Sequence, residues 1–251
     1  MIIKLGGKNK IVIFIQARTD SKRFPCKVLA PICGKPLLWH VIERAKKIEH
    51  NEIVILTTKR EIDDRIVEIA KKCGVSYFRG TKDNVLDRFY KAALRFKANV
   101  IIRITADCPL IDPKICNKVI KKFFKGNFDY VTTDEKTFPK GTDTECFNFD
   151  SLKIAWSKAK LKSEFEHVTP YIWKNPQKFR TYTIVNKRKE DYRLVVDYKD
   201  DLILIRKIYA ELYRRDKIFL ISDVIRILKK QPELIKINQV HVPLDNHIFS
   251  L

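Results

Sequence analysis

Ile11-Val12-Ile13-Phe14-Ile15 runs straight into Gln16-Ala17-Arg18-Thr19-Asp20-Ser21-Lys22-Arg23-Phe24-Pro25-Cys26-Lys27, and this junction decides the fold. Consecutive apolar residues, mostly β-branched, read as a short strand buried on both faces. The segment after them is polar and carries the cations Arg18, Lys22, Arg23 and Lys27. A helical stretch from Pro36 to Ile48 follows, completing the first β-loop-α unit of an open α/β sheet. In such sheets ligands bind at the carboxyl ends of the strands, near the point where strand order reverses. Cations gathered there suit a polyanion such as a nucleoside triphosphate, because arginine grips phosphate oxygens through two parallel N–H bonds. The loop holds no glycine. That excludes a P-loop and a GxGxxG turn, both of which press backbone N–H groups against phosphate.

From residue 11 to 133 strand and helix patterns alternate. Ile53–Leu56 and Val100–Ile104 are further β-branched runs. Between them Ile62, Ile66, Ile69, Ala70 and Cys73 recur at helical spacing, and Gly74 makes a stop. Val85, Leu86, Phe89, Tyr90, Ala93 and Phe96 form a second stripe. Asp112-Pro113 predicts a capped helix start, and Asp129–Thr133 another strand. The alternation predicts a mostly parallel α/β sheet covered by helices. Beyond it, Phe138–Gly141 reads as a turn and Asp143 and Glu145 lie in a polar stretch. Helices are expected at 151–159, 164–174, 200–214 and 222–231, and strands at 179–185 and 193–196. No repeat or Gly/Ser linker divides the chain. A single domain is expected, with a nucleotide-binding half (about 10–133), an acceptor and dimer half (about 134–215) and a C-terminal extension (216–251).

The 251 residues are 45% hydrophobic and include 15 Phe, ample for a large core. No apolar run approaches a membrane span, and Lys4, Lys8 and Lys10 interrupt the N-terminus where a signal peptide would be apolar. A cytoplasmic protein with no membrane partner is expected. The 6 Cys form no CxxC pair, which argues against a zinc or thioredoxin-like site. Cys73, Cys108, Cys116 and Cys146 sit among apolar residues and should pack as inert small hydrophobes. A formal charge of +21 attracts polyanions, nucleic acid included. Its lysines are scattered over polar helix faces (Lys46, Lys47, Lys71, Lys72, Lys121, Lys122), and no nucleic-acid motif accompanies them. Nucleic acid is therefore not the expected partner, although the field would help to capture anionic substrates.

Gln-Ala-Arg-x-x-Ser-x-Arg-x-Pro-x-Lys, as it stands at 16–27, resembles the nucleotide-binding loop of the CMP-sugar synthetase (cytidylyltransferase) superfamily, nearest to the spore coat polysaccharide biosynthesis protein F branch. The resemblance extends over roughly residues 10 to 215. It implies a Rossmann-like nucleotide-diphospho-sugar transferase fold. It also implies Mg²⁺-dependent transfer of CMP from CTP to a sugar or sugar acid, with release of pyrophosphate, for surface polysaccharide or glycan synthesis. A homodimer is implied as well. Arg18 and Lys27 would contact the triphosphate, with Ala17 and Arg23 beside them. Phe24 and Cys26 stand where many relatives carry Leu and Gly, so the loop's fine geometry should differ.

Thr105-Ala106-Asp107-Cys108-Pro109-Leu110 follows its strand directly, which puts Asp107 on the same sheet edge as Arg18. Mg²⁺ binds phosphates plus one or two protein carboxylates. Ala-Asp-x-Pro-Leu resembles the family's metal motif, implying Asp107 as a ligand; a plain cap of the turn before Pro109 is the alternative. Val196-Asp197-Tyr198-Lys199-Asp200-Asp201-Leu202 resembles the family's Val-Asp-Thr-Pro-x-Asp-Leu. By that match Asp197 is the second metal ligand and Asp201 serves the next helix; Asp197 as a helix cap stays open. Tyr198 and Lys199 replace Thr-Pro.

Gly80–Arg88 resembles the segment near base and ribose, with Gly80 allowing close backbone approach and Thr105 meeting base or ribose. Asp83 as a helix cap is equally open. Gly141–Glu145 and Ser163–Tyr171 resemble the branch's Gly-x-Asp-x-Glu and Arg-Glu-His-Val-Thr-Pro-Tyr elements, which puts Asp143, Glu145, Glu166 and His167 in the acceptor pocket. His167 would orient or deprotonate an attacking hydroxyl, or simply be bonded in a helix turn. The family's Arg is absent from Ser163-Glu164-Phe165. His40, His50, His241 and His247 read as structural. Two other functions stay open. One is a nucleotidyltransferase using another NTP or a sugar or alditol phosphate, for which Arg180, Lys187 and Arg188 are available. The other is a non-catalytic basic protein that binds nucleic acid.

Overall fold

Ile11, Ile13 and Ile15 pack on one face of strand β1 (Ile11–Gln16) and Val12 and Phe14 on the other, and every one of them is buried. In the computed structural model, which describes residues 9–215 and 217–241, this two-faced strand lies inside a seven-stranded sheet. A small hairpin of β2 (Pro31–Ile32) and β3 (Lys35–Pro36) follows it. The other sheet strands are β4 (Glu52–Thr58), β5 (Ser76–Gly80), β6 (Val100–Thr105), β7 (Tyr130–Thr133), β8 (Glu145–Asn148) and β9 (Thr181–Ile184). The order is β5-β4-β1-β6-β8-β7-β9. Parallel pairing joins β1 to β4 and β6, β4 to β5, and β7 to β9, while β8 runs antiparallel between β6 and β7.

Helices α1 (Leu37–Ala45), α2 (Asp64–Lys72), α4 (Pro113–Gly126), α8 (Lys199–Leu212) and α9 (Ile221–Lys230) cover the face that bears Ile13. The opposite face carries α3 (Val85–Phe96), α5 (Phe149–Lys158), α6 (Lys162–His167) and α7 (Pro170–Trp173). The chain builds outward from β1 to β4 and β5, then α3 returns it to β6 on the other side of β1. Strand order thus reverses between β1 and β6, where Gln16 and Thr105 pair in register at the two carboxyl ends. That crevice is where an open α/β sheet binds its ligand.

Local signals explain most element ends. Asp112 caps α4 by accepting from the Lys114 N–H at 2.7 Å, with Pro113 in the first turn. Gly74 ends α2 with φ 67°. The cap of α3 is Asn84, whose side chain accepts from the Asp87 N–H at 2.8 Å; Asp83, the sequence candidate, does not serve. The helix expected at 164–174 is broken into α6 and α7 because Val168 adopts φ 73°, a conformation that cannot continue a helix.

The strand expected at 193–196 does not form either. Arg193 makes one isolated bridge to Lys140, and the Val196 N–H bonds instead to the Asp107 carbonyl at 2.9 Å. Conversely, the polar stretch around Glu145 is the strand β8. Glu145 sits directly opposite Arg103 on β6 and ion-pairs with it, so its charge is neutralised in register. Strand β5 was also not foreseen.

Cys73, Cys108, Cys116 and Cys146 are buried free thiols, as expected; burial raises Cys73 to about 11 and Cys116 to about 12. His40 is buried, with Nε2 2.7 Å from the Ile32 carbonyl oxygen. His247 and residues 242–251 of the extension lie outside the described residues. No helix among the described residues is long and apolar enough to cross a membrane.

Gly141 tests this architecture. Its φ is 96°, and a Cβ there would stand 2.7 Å from the Leu194 carbonyl carbon and the Val195 nitrogen. Gly74, also at positive φ, has open space around it. Gly141→Ala should therefore destabilise by more than ~1 kcal/mol, lowering Tm by upwards of roughly 2–4 °C, and by more than Gly74→Ala in the same thermal melt.

Candidate active site

The loop after β1 is held by the strand beside it. The Ala17 N–H bonds to the Leu56 carbonyl, and the Thr19 N–H and hydroxyl both donate to Asp63 Oδ1, at 2.9 and 2.7 Å. The Cys26 N–H closes the loop onto the Thr19 carbonyl at 2.7 Å. Cys26 itself adopts φ 59°, the left-handed region that favours glycine. A short 3₁₀ turn, Lys27–Leu29, then turns the Lys27 side chain inward, where it is 9% exposed.

Lys27 Nζ lies 2.7 Å from Asp107 Oδ2 and 2.8 Å from Asp197 Oδ1. These carboxylates come from segments far apart in sequence, one after β6 and one before α8. The backbone bond from Val196 N–H to the Asp107 carbonyl holds the two segments side by side. Asp197 also takes Arg23 Nη2 at 2.8 Å on Oδ1 and Arg193 Nη2 at 3.1 Å on Oδ2. Behind it, Asp201 is fully buried. Asp201 pairs with Arg193, accepts the Asp197 and Tyr198 N–H groups at 2.9 Å each, and receives the Asn238 amide at 2.8 Å. Burial favours the neutral forms of Lys27 and Asp197, but their opposite charges outweigh it. Lys27 holds its proton above the usual lysine range, and Asp197 loses its proton below the usual carboxylate range.

These groups line a cleft of about 530 Å³ at the β1/β6 crevice, within the range of ligand pockets. Arg18, Ser21, Lys22 and Arg23 form one wall. Arg88 and Arg103 are further cations of the lining that the sequence reading did not single out as site residues. Arg88 is buried, its guanidinium bonded to the Thr81 and Lys82 carbonyls, and burial together with Arg18 lowers it to about 10. A charge inside the apolar stripe of α3 was the available signal. Arg103 lay hidden in an apparently apolar strand, and only its Glu145 partner reveals why a charge is tolerated there.

Glu166 and His167 stand on the lining, at the end of α6. Burial lowers the pKa of His167 below the usual imidazole value of 6.5, which favours the neutral ring. The strained Val168 turns the chain immediately after it.

The fold thus brings Ala17, Arg18, Arg23, Lys27, Thr105, Asp107, Glu166, His167 and Asp197 into one cleft. Gly80, Asp143 and Glu145 do not line it. The space over Gly80 is taken by Arg88, whose Cγ would lie 2.7 Å from an added Cβ. Glu145 is engaged by Arg103, by the Tyr130 hydroxyl at 2.7 Å and by the Thr169 hydroxyl at 2.5 Å, a brace beneath the cleft. Asp143 accepts the Gly141 N–H at 3.0 Å, and burial pushes its carboxyl up. Arg180, Lys187 and Arg188 are also absent from the lining. Asp201 and Arg193 prove to be supports for Asp197.

Comparison with known proteins shows the family and the fold. A cytidylyltransferase family model matches residues 12–243. The chain is 32% identical over 234 residues to the spore coat polysaccharide biosynthesis protein SpsF of Bacillus subtilis, covering 90% of this chain and 96% of that one. A cytidylyltransferase structure from Leptospira borgpetersenii superposes with a TM-score of 0.86 at 35% identity, over 90% of this chain and 97% of the other. A solved CMP:2-keto-3-deoxy-manno-octonic acid synthetase complexed with CTP shares the fold, with a TM-score of 0.62 at 17% identity over 81% of this chain and 99% of the other. With a Rossmann-like sheet and this cleft at its switch point, the chain belongs to the cytidylyltransferase family and is an enzyme of the nucleotidyltransferase class.

Proposed function

We propose that this enzyme transfers CMP from CTP to a hydroxyl of a sugar acid, with Mg²⁺ as cofactor and release of pyrophosphate. The observation that carries the reading is the convergence of Asp107 and Asp197 on one cationic point, the Lys27 ammonium, inside a cleft walled by arginines. Two hard oxygen donors aimed at one position fit a divalent ion that takes its other ligands from phosphate and water. Held by Asp107 and Asp197, Mg²⁺ would neutralise charge between the phosphates.

The protein's own groups account for the rest. Lys27, released from the carboxylates, turns with Arg18 and Arg23 to the triphosphate and offsets the charge gathering on the departing pyrophosphate. The acceptor oxygen forms its bond to the α-phosphorus as the bond to the pyrophosphate oxygen breaks, and that electron pair leaves with pyrophosphate. The acceptor's proton passes to the neutral imidazole of His167. Glu166, beside it, and Arg103 offer polar contacts for a sugar acid. Thr105 belongs to the nucleotide side. A sugar acid is preferred over an acceptor phosphate because the cations available for such a phosphate, Arg180, Lys187 and Arg188, are not among the residues that line the cleft. A homodimer is retained by resemblance.

Pyrophosphate release measured with each of the four NTPs, against 2-keto-3-deoxy sugar acids and sugar phosphates, should select CTP with a sugar acid. Asp107→Asn and Asp197→Asn should each lower kcat by about 10²–10³-fold, the scale of removing one charge-stabilising group. Turnover with another NTP, or undiminished turnover in both variants, would overturn the reading.

Lys27→Met leaves the two carboxylates short of one cation. It should lower Tm, at about 2–4 °C per kcal/mol lost, and millimolar Mg²⁺ should raise the Tm of this variant more than that of the wild type. Equal Mg²⁺ shifts would speak against a metal between Asp107 and Asp197.

His167 must be neutral to accept the proton, so kcat should fall on acidification only as pH drops through a pKa below 6.5. His167→Gln should remove that acid limb; a limb that persists unchanged assigns it to another group.

A further inference from the structure

A second cavity, of about 260 Å³, opens between α1, α8 and the segment leading to α9, and shares no lining residue with the cleft. Rings make most of its wall: Trp39, His40, Tyr209, Tyr213 and Phe219. They already pack edge to face, His40 at 5.0 Å from Trp39 and 4.6 Å from Tyr209, and Tyr209 at 5.1 Å from Phe219. Burial lowers His40 to about 4, so at neutral pH its ring is an uncharged part of this wall.

Arg44 lines the same cavity and is only 2% exposed. Its Nε and Nη2 donate to the carbonyl oxygens of Ile111 and Phe219, at 2.7 and 2.9 Å, and the guanidinium lies 4.8 Å from the Phe219 ring. Among the described residues no carboxylate pairs with it. A guanidinium carries five N–H donors, more than these two carbonyls take. Lys47, Arg214, Arg215 and Lys217 add positive charge to the lining. Among the described residues Glu43 is the acid of the lining, and it bonds outward to Lys46 at 2.6 Å.

We propose that this cavity binds a small phosphate monoester carrying one flat ring, with the ring against the aromatic wall and the phosphate held by Arg44 and the flanking cations. A phosphate monoester brings about −1.5 to −2 charge near pH 7, which answers this excess better than a single carboxylate, and its oxygens match the guanidinium fork. The volume lies just under the roughly 300–1,000 Å³ of pockets for larger ligands, which limits the occupant to about one ring. Aromatic faces offset against a flat ring supply the apolar part of the affinity.

Phenyl phosphate is the probe, titrated into the full chain by calorimetry at low salt. Phenol and inorganic phosphate are titrated alongside as its separate halves. Phenyl phosphate should bind at least ten-fold more tightly than either half. The exposed charge-reversal pair Lys47→Glu with Arg215→Glu should weaken it at least ten-fold, and Arg18→Glu with Lys22→Glu, in the cleft, less than two-fold. Binding should also quench tryptophan emission, and Trp39→Phe should abolish that quenching. Absence of binding, loss of binding on the cleft reversal alone, or an affinity no greater than that of inorganic phosphate would each overturn the proposal. Thermal melts of both double variants establish that they are folded.

Discussion

The ammonium of Lys27, seated between the carboxylates of Asp107 and Asp197, is the contact on which the rest of the site depends. It ties the loop after β1 to the segment after β6 and to the approach of α8, three stretches that no local interaction would bring together. Buried ion pairs are weak evidence of net stability, because desolvation opposes the Coulomb gain. Their value here is geometric. The Val196 N–H on the Asp107 carbonyl, and Asp201 bracing Arg193 and the Asp197 backbone, hold the two segments that carry these carboxylates side by side.

Around that point the protein sets charge in layers. Exposed cations, Arg18, Lys22 and Arg23, meet solvent at the mouth of the cleft, while Arg88 is buried and Arg103 half-buried in its lining. Attraction between charges strengthens as water is excluded, so buried Arg88 acts more strongly on a bound polyanion than an exposed cation would, whereas the charge of Arg103 is offset by Glu145. The formal charge of +21 adds a diffuse field over this arrangement, useful for encounter but without direction. Burial separates the two roles. His167 belongs to the same design: partial burial keeps it neutral where an exposed imidazole would be partly protonated.

Much of the fold was legible because it is written in consecutive residues. The β-branched runs at 11–15, 53–56 and 100–104, the helical stripes of α2 and α3, and the Asp112-Pro113 start all stand where pattern and capping chemistry put them. The failures have physical causes that no short stretch displays. Glu145 made β8 look like a loop because its charge is cancelled by Arg103, 42 positions away. The apolar Leu194-Val195-Val196 stretch made no strand because its backbone bonds go elsewhere, and Val168 divided a helix that spacing alone would have continued. For Glu145 and for Leu194-Val195-Val196 a tertiary contact overrode the local preference, and at Val168 a positive φ did.

The site divides in the same way. The sequence by itself determined the chemical types present, a basic loop after the first strand and carboxylates after two later apolar runs, because each lies beside the element that carries it. It determined the family too, since the ordered motifs survive as short words. Only the tertiary structure decided which of those groups meet. Lys27 reaches carboxylates 80 and 170 positions away, Arg88 and Arg103 turn into the cleft, and Glu145 and Asp143 become braces outside it. Those outcomes follow from strand order and from the burial that each charge must survive, and neither is a property of any short stretch of chain.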